Sequence, residues 1–194
     1  MATINKQDLD ELNLKINSSN PKNWLLPSLK DLIKIQHGFS FKSEFFNNKK
    51  GIPLLRIRDL ENNKCEILYD GEHDDDFLVR KGDLLIGLDG NFRCYEWNGA
   101  DSLLNQRVCR VFVNEELLEK KFLHLGINLY LNKIENKTSS ATVKHLSVTT
   151  IQKINFPLTT INEQIRITKK MKKLLDHISD LNISIEKIKN QIEL

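Results

Sequence analysis

"KGDLLIGLDGN", running from Lys81 to Asn91, decides between two kinds of fold. Its glycines Gly82, Gly87 and Gly90 and its aspartates Asp83 and Asp89 suit a loop that cradles a phosphate, and they suit equally a buried strand between two turns. A phosphate-binding P-loop runs into Lys-Ser or Lys-Thr at the start of a helix, because backbone amides and the lysine together surround the anion. A dinucleotide fingerprint needs Gly-x-Gly-x-x-Gly between strand and helix. Here Gly87 and Gly90 lead instead into "NFRCYEW", Asn91 to Trp97, which is strand-like. The stretch therefore reads as a turn at "VRKGD", a buried strand at "LLIGL" and a hairpin tip at "DGN". Nucleotide-binding folds fall away, and a β-rich domain remains.

Working outward, the chain from Gly51 to Val113 keeps this texture. "IPLLRIRDL", "CEILY", "FRCYEW" and "RVCRVFV" are short β-rich runs punctuated by glycine, asparagine and aspartate. In the first of them Arg56 and Arg58 alternate with apolar residues, which predicts that both lie on one strand face. Upstream, Leu9, Leu12 and Ile16 have helical spacing, and "SSNPKN" breaks it. "PSLKDLIKI" predicts a short helix capped by Ser28, with Leu29, Leu32 and Ile33 on one face and Gly38 at its end. Downstream, Glu115 to Leu131 returns to helical period, with Leu118, Phe122, Leu125 and Leu129 in one stripe. A polar tract without period covers 132–145. Ser147 then caps a short helical turn, and Ile154 to Leu158 reads as a closing strand.

The strongest periodicity lies at the end of the chain. Ile167, Met171, Leu174, Ile178, Leu181, Ile185, Ile188 and Ile192 step alternately by four and three, a heptad seam with no glycine or proline within it. At about 1.5 Å per residue, roughly 33 residues make a rod of about 50 Å. A helix packed on its own domain shows a broader apolar stripe than this seam, so the pattern predicts pairing with another helix. The fold class expected is α+β: a globular, mixed, β-rich domain over 1–158, then one long coiled-coil helix over 159–194.

Composition sets the outer bounds. A hydrophobic content of 40% and a charged content of 28% permit a packed core. No run is long and apolar enough for a membrane span, and "MATINKQDLDELNLK" lacks the layout of a secretion signal. A cytoplasmic location is expected. Cys65, Cys94 and Cys109 form no C-x-x-C pair and read as packed free thiols. The net charge of +3 permits a nucleic-acid partner without requiring one. His37, His73, His124, His145 and His177 have no zinc-ligand spacing. There is no Gly-x-Ser-x-Gly elbow. Glu135 and Lys137 have the Glu-x-Lys shape of some nuclease sites, without an evident partner aspartate. The pattern speaks for binding rather than catalysis, with no metal and no cofactor.

Several stretches together resemble the DNA specificity subunit of type I restriction-modification systems. They are "NPKNWLLPSLKDLIKIQHGFSFKSEFF", "GIPLLRIRDL", "VRKGDLLIGLDG", "LLNQRVCRV" and "SATVKHLSVTTIQKINFPLTTINEQIRI". Their order and spacing carry the resemblance over about residues 20 to 194. Thr159 and Thr160 stand where the family often has prolines, and the family usually has two recognition domains and two helices where this chain has one of each. The resemblance implies a target-recognition domain without catalytic activity, which reads one half of a split double-stranded DNA site. It implies long helices that pair antiparallel and dock methyltransferase subunits, with a restriction subunit joining the complex. S-adenosylmethionine and ATP would be used by those partners.

On that reading the expected DNA-contacting residues are Ser40 and Lys42, Arg56 and Arg58, Asn91 and Arg93, and Ser139, Ser140, Thr142, Lys144 and His145. These are residue types that reach phosphates and base edges from exposed loops. Asn105, Gln106 and Arg107 read better as a structural hydrogen-bond cluster. The heptad seam from Ile167 to Ile192 is the expected interface of an antiparallel homodimer. Two other readings stay open here: a coiled-coil scaffold that binds no DNA, and a metal-dependent nuclease built on Glu135 and Lys137.

Overall fold

A computed structural model describes residues 24–138 and 144–192 of the chain. The predicted helix around Leu9 to Ile16 lies outside these residues, as do Ser139, Ser140 and Thr142. The described elements in chain order are strands β1 (Ile33–His37), β2 (Phe46–Asn47), β3 (Ile52–Leu55), β4 (Leu68–Tyr69), β5 (Leu78–Val79), β6 (Leu84–Gly87), β7 (Cys94–Glu96), β8 (Ser102–Leu104) and β9 (Val108–Val113). Helices α1 (Lys120–Lys137), α2 (Val148–Gln152) and α3 (Ile161–Ile192) follow. The α+β class holds: a β-rich domain ends in one long helix.

The strands form two sheets, one of order β1-β9-β6-β7 and one of order β2-β4-β3-β8-β5. The first is antiparallel throughout. In the second only β3 and β8 run parallel. Strand β6 explains why "LLIGL" is continuously apolar. Successive side chains point to opposite faces, so Leu84 and Ile86 enter one core while Leu85 enters another. The first core joins that sheet to α1 and α2 through Leu123, Ile127, Leu131 and Ile151. The second joins the two sheets through Leu55, Trp97, Leu104 and Val108.

The same alternation puts Arg110 of β9 between the sheets, and its guanidinium is fully used. Nε and Nη2 donate to Gln36 Oε1 at 3.0 and 2.6 Å, and Nη2 donates to the Asp76 carbonyl at 2.6 Å. Nη1 donates to the Leu78 carbonyl at 2.7 Å and to the Asp83 carboxylate at 3.1 Å. A nearly buried charge is tolerable only when satisfied in this way, and here it ties the β5 edge of the second sheet onto the first.

Four local readings are corrected. "PSLKDLIKI" is helical for one 3-10 turn only, Leu29–Asp31, capped by Ser28 as expected; Ile33 onward is strand β1, where the branched Ile33 and Ile35 pair with Val113 and Val111. "RIRDL" is not strand. Ile57–Asp59 is a 3-10 turn, because the buried Asp59 accepts the Arg56 backbone amide at 2.9 Å and turns the chain. Arg56 and Arg58 therefore do not share a strand face. Leu118 and Phe122 of the expected stripe are buried, but α1 continues its buried face through Leu123, Ile127, Tyr130, Leu131 and Ile134, while Leu129 is 65% exposed, and the helix continues through the polar tract to Lys137. The cause is the sheet, which covers α1 along a face rotated from the Leu125–Leu129 line. Finally, 154–158 makes only isolated bridges, Asn155 to Ser28 and Leu158 to Leu25. Ser147 caps α2 by accepting the Thr150 amide at 3.1 Å, as predicted.

Candidate nucleic-acid interface

Topology alone collects the candidate loops. In the antiparallel order β1-β9-β6-β7, the C-terminal ends of β1 and β6 lie beside the N-terminal starts of β9 and β7. The segments after His37, before Val108, after Gly87 and before Cys94 thus share one end of the sheet.

Backbone bonds fuse these segments into a strip. Phe39 bridges Asn105 in parallel, and its carbonyl accepts the Gln106 amide at 2.9 Å. Gly38 permits this approach, since a Cβ there would collide with the Asn105 carbonyl. The Leu88 amide donates to the Arg107 carbonyl at 2.9 Å. Asp89 bridges His145, with Leu146 N–H to Leu88 O at 2.7 Å and Gly90 N–H to Lys144 O at 3.1 Å. Gly90 takes a φ of +77°, which favours glycine at the hairpin tip. Four segments separated in sequence by up to about a hundred residues so become neighbours: 39–42, 105–107, 88–93 and 144–146.

Side chains join them further. The Asp89 carboxylate accepts Arg107 Nη1 at 2.6 Å and meets His145 Nδ1 at 2.7 Å. Lys144 lies 3.6 Å from Glu135, whose carboxylate also accepts the Phe92 amide at 3.0 Å. Arg93 is exposed and lies beside Tyr95. Burial pushes the Tyr95 phenol above its ordinary range, and the neighbouring Arg93 guanidinium opposes that shift. Asn91, Arg93, Tyr95, Asn132, Glu135 and Asn136 line a polar cavity of about 360 Å³. A larger cleft of about 560 Å³ lies between Ile35 and His37 of β1, Gln106, His145 and the start of α2.

Among the expected contact residues, Ser40, Lys42, Asn91, Arg93, Lys144 and His145 all fall on this strip. Lys42 is exposed and has no ion-pair partner among the described residues. The turn carrying Arg56 and Arg58 adjoins the end of β6, with Ile57 against Gly87. Arg56 is tied to Asp59 and Glu66, both at 3.4 Å, whereas Arg58 is exposed and unpaired among the described residues. Arg107 and Asp89 were not among the expected contacts. Arg107 belongs to a hydrogen-bonded cluster, as read, yet half of its side chain is exposed on the strip. The signal that would have found the pair is the lone aspartate of "LDG" facing a basic residue just before a strand.

Glu135 has a structural task here, in the Phe92 amide bond and the Lys144 pair, and it shares its cavity with Glu61. Among the described residues no group of three histidine, cysteine or carboxylate side chains is placed to hold a metal ion, and no helix is long and apolar enough to cross a membrane.

The long helix leaves from the opposite end of the sheet, where β1 and β6 begin. Gln164 near its start bonds to Leu117 and Glu119, just after β9 and just before α1. From Lys169 to Lys189 every residue of α3 is exposed. Its apolar members include Met171 at 40%, Ile178 at 54% and Ile188 at 55% exposure, an uncovered stripe on the predicted seam. Among the described side chains of the seam, only Ile167 packs on the first core.

Comparison with known proteins adds lineage to this geometry. Residues 21–194 match the family described as Type I restriction modification DNA specificity domain. The chain is 38% identical over 183 residues to the EcoBI type I restriction enzyme specificity subunit of Escherichia coli, covering 94% of this chain and 39% of the relative. It is 26% identical over 188 residues to the EcoAI specificity subunit of Escherichia coli, covering 87% and 31%. The crystal structure of the HsdS subunit from Thermoanaerobacter tengcongensis superposes with a TM-score of 0.65 at 19% identity, covering 90% of this chain and 43% of that one. The chain spans less than half the length of each of these relatives.

Proposed function

This chain belongs to the family of type I restriction modification DNA specificity domains, and from that premise we propose that it recognises one half of a split double-stranded DNA site without catalysing a reaction. Residues 1–158 are assigned to recognition and 159–194 to spacing. The observation that carries this reading is the polarity of the fold. One end of the antiparallel sheet gathers the loops 39–42, 88–93, 105–107 and 144–146, and the opposite end launches a 32-residue helix with an uncovered apolar stripe.

In this arrangement the cations Lys42, Arg58, Arg93 and Lys144 meet phosphates and set register, while Asp89 holds Arg107 back. Ser40, Asn91, Gln106 and His145 are of the types that read base edges. Arg56, held by Asp59 and Glu66, supports the turn that presents Arg58. Ser139, Ser140 and Thr142, close to Lys144 in sequence, are assigned to DNA with it. The seam of α3, Ile167 to Ile192, pairs antiparallel with the equivalent helix of a second copy, which places two recognition ends about 48 Å of helix apart, on the order of 14 base pairs. Methyltransferase subunits, and through them a restriction subunit, dock on this paired body.

The test is molar mass by light scattering, alone and with the methyltransferase subunit, for the wild type and for Met171→Glu/Ile178→Glu/Ile185→Glu. The expected result is a wild-type dimer that gains methyltransferase subunits and a monomeric variant. A variant that stays dimeric removes the seam as the interface. A dimer that binds no duplex DNA under low salt is a scaffold and overturns the recognition reading.

A further inference from the structure

Gln164 sits in the first turn of α3 and is fully buried, although glutamine is mostly a surface residue. Its amide is bound on every side. Nε2 donates to the Leu117 carbonyl at 2.9 Å and to the Thr159 carbonyl at 2.7 Å, and Oε1 accepts the Glu119 amide at 2.8 Å. The Glu119 carboxylate caps α1 by accepting the Phe122 amide at 2.6 Å, and it also accepts the Thr168 hydroxyl at 3.2 Å. Gln164 and Thr168 are four apart, hence on one face of α3, and Thr168 too is buried. Between them Ile167 packs on the first core. Beyond Thr168 the residues of α3 are exposed up to Lys189. The long helix is therefore held to the domain by a two-point polar latch on the N-terminus of α1, with one apolar contact between the points.

We propose that Gln164 is a positioning residue that sets the tilt of α3 on the domain, and through it the gap between half-sites that an assembled pair can span. The second half of this proposal rests on the reading of α3 as the spacer between recognition domains. Gln164 lies at the end of the sheet opposite the recognition strip, so it acts on spacing and not by contact with DNA. Leverage makes the effect large. On the roughly 42 Å of helix beyond Gln164, a change of about 10° at the base moves the far end by about 7 Å, about two base-pair steps of about 3.4 Å. A single buried amide locks such an angle because two of its three partners, the Leu117 carbonyl and the Glu119 amide, are backbone groups whose positions the domain determines, and the third, the Thr159 carbonyl, fixes the chain entering α3.

The experiment uses the full chain. Nitroxide labels at Asn62→Cys and Lys187→Cys, both exposed positions, are introduced in a Cys65→Ser background, and labelled chain is diluted into excess unlabelled chain so that only distances within one chain are read. The same proteins are titrated with duplexes carrying two inverted copies of the half-site that the wild type selects from a randomised library, with gaps one base pair longer and shorter than the best. The wild type is expected to show one narrow distance and one preferred gap. Gln164→Leu is expected to broaden the distance distribution and to bring the ratio of affinities between the best gap and its neighbours towards unity, with half-site preference retained. Thr168→Val removes only the outer bond and carries the same test if Gln164→Leu does not fold. A folded variant with the wild-type distance distribution overturns the latch. A broadened distance with an unchanged gap preference overturns its role in spacing. A wild type that selects no duplex removes the DNA reading, and the distance measurement then decides the latch by itself.

Discussion

Asp89→Asn separates a restrained recognition strip from a merely basic one. The Asp89 carboxylate holds Arg107 at 2.6 Å and His145 at 2.7 Å, and the three side chains are 15%, 50% and 29% exposed respectively. Asparagine keeps the shape and removes one negative charge. Partly exposed pairs of this kind contribute about 0.2–1 kcal/mol each. The variant should therefore lose about 1–2 kcal/mol at most, a fall in Tm of roughly 2–8 °C for a chain of this size. DNA affinity should move the other way. Arg107, released from its carboxylate, can neutralise about one further phosphate, which steepens the dependence of log K on log salt by about 0.9. Between about 50 and 200 mM salt that is an additional loss of about 3.5-fold, starting from tighter binding at the low-salt end. The assay is fluorescence anisotropy with a duplex of random sequence across this salt range, beside a melting curve. Weaker binding with an unchanged slope, in a variant that keeps its Tm, would refute the claim that Asp89 restrains cations facing DNA.

Other consequences are read by simpler measurements. Arg110→Met leaves Gln36, Asp83 and the carbonyls of Asp76 and Leu78 without their common donor. Breaking a buried, satisfied charge costs about 3–5 kcal/mol, so calorimetry should show a Tm lower by roughly 6–20 °C, and an unchanged Tm would mean the guanidinium is dispensable. Arg93→Ala and Lys144→Ala should each weaken binding to any duplex alike and reduce the salt slope by about 0.9; a change confined to one sequence would make the residue a base reader instead. The thiols offer a native-state probe. Burial pushes Cys65 up to about 11, Cys109 up to about 12 and Cys94 above its ordinary range. The thiolate is the reactive form, so at neutral pH all three should resist maleimide in the folded protein. Reactivity should begin with the half-buried Cys65 as the pH is raised, and all three should react at once in denaturant. Rapid labelling of Cys94 in native protein, followed by mass spectrometry, would contradict its place under α1.

Where the reading of the residues succeeded, the information was local and periodic. The 4–3 repeat of Ile167 to Ile188 needs only a helix and water to be legible, and the structure leaves its members from Met171 to Ile188 uncovered. Ser147 was legible as a cap for the same reason, since its partner amide is three residues away. "LLIGL" was legible as a buried strand because both of its faces are apolar. Arg56 and Arg58 failed because their alternation copies a strand, while the turn is made by Asp59 reaching back to a backbone amide. The α1 stripe held at Leu118 and Phe122 and failed at Leu129, because a helix with apolar residues on several sides does not announce which side a sheet will cover.

By itself, then, the sequence determined the β-rich domain, the long helix, its unpartnered seam and the loops rich in DNA-contacting residue types. Only tertiary structure decided that those loops meet. Their neighbourhood follows from antiparallel strand order, which places the end of β6 beside the start of β9 and lets Asp89 join Arg107 to His145 across the chain. The anchoring of α3 was decided there too. A glutamine looks like surface in any sequence, and becomes a latch only where Leu117, Glu119 and Thr159 enclose it with two carbonyls and an amide that have lost their water.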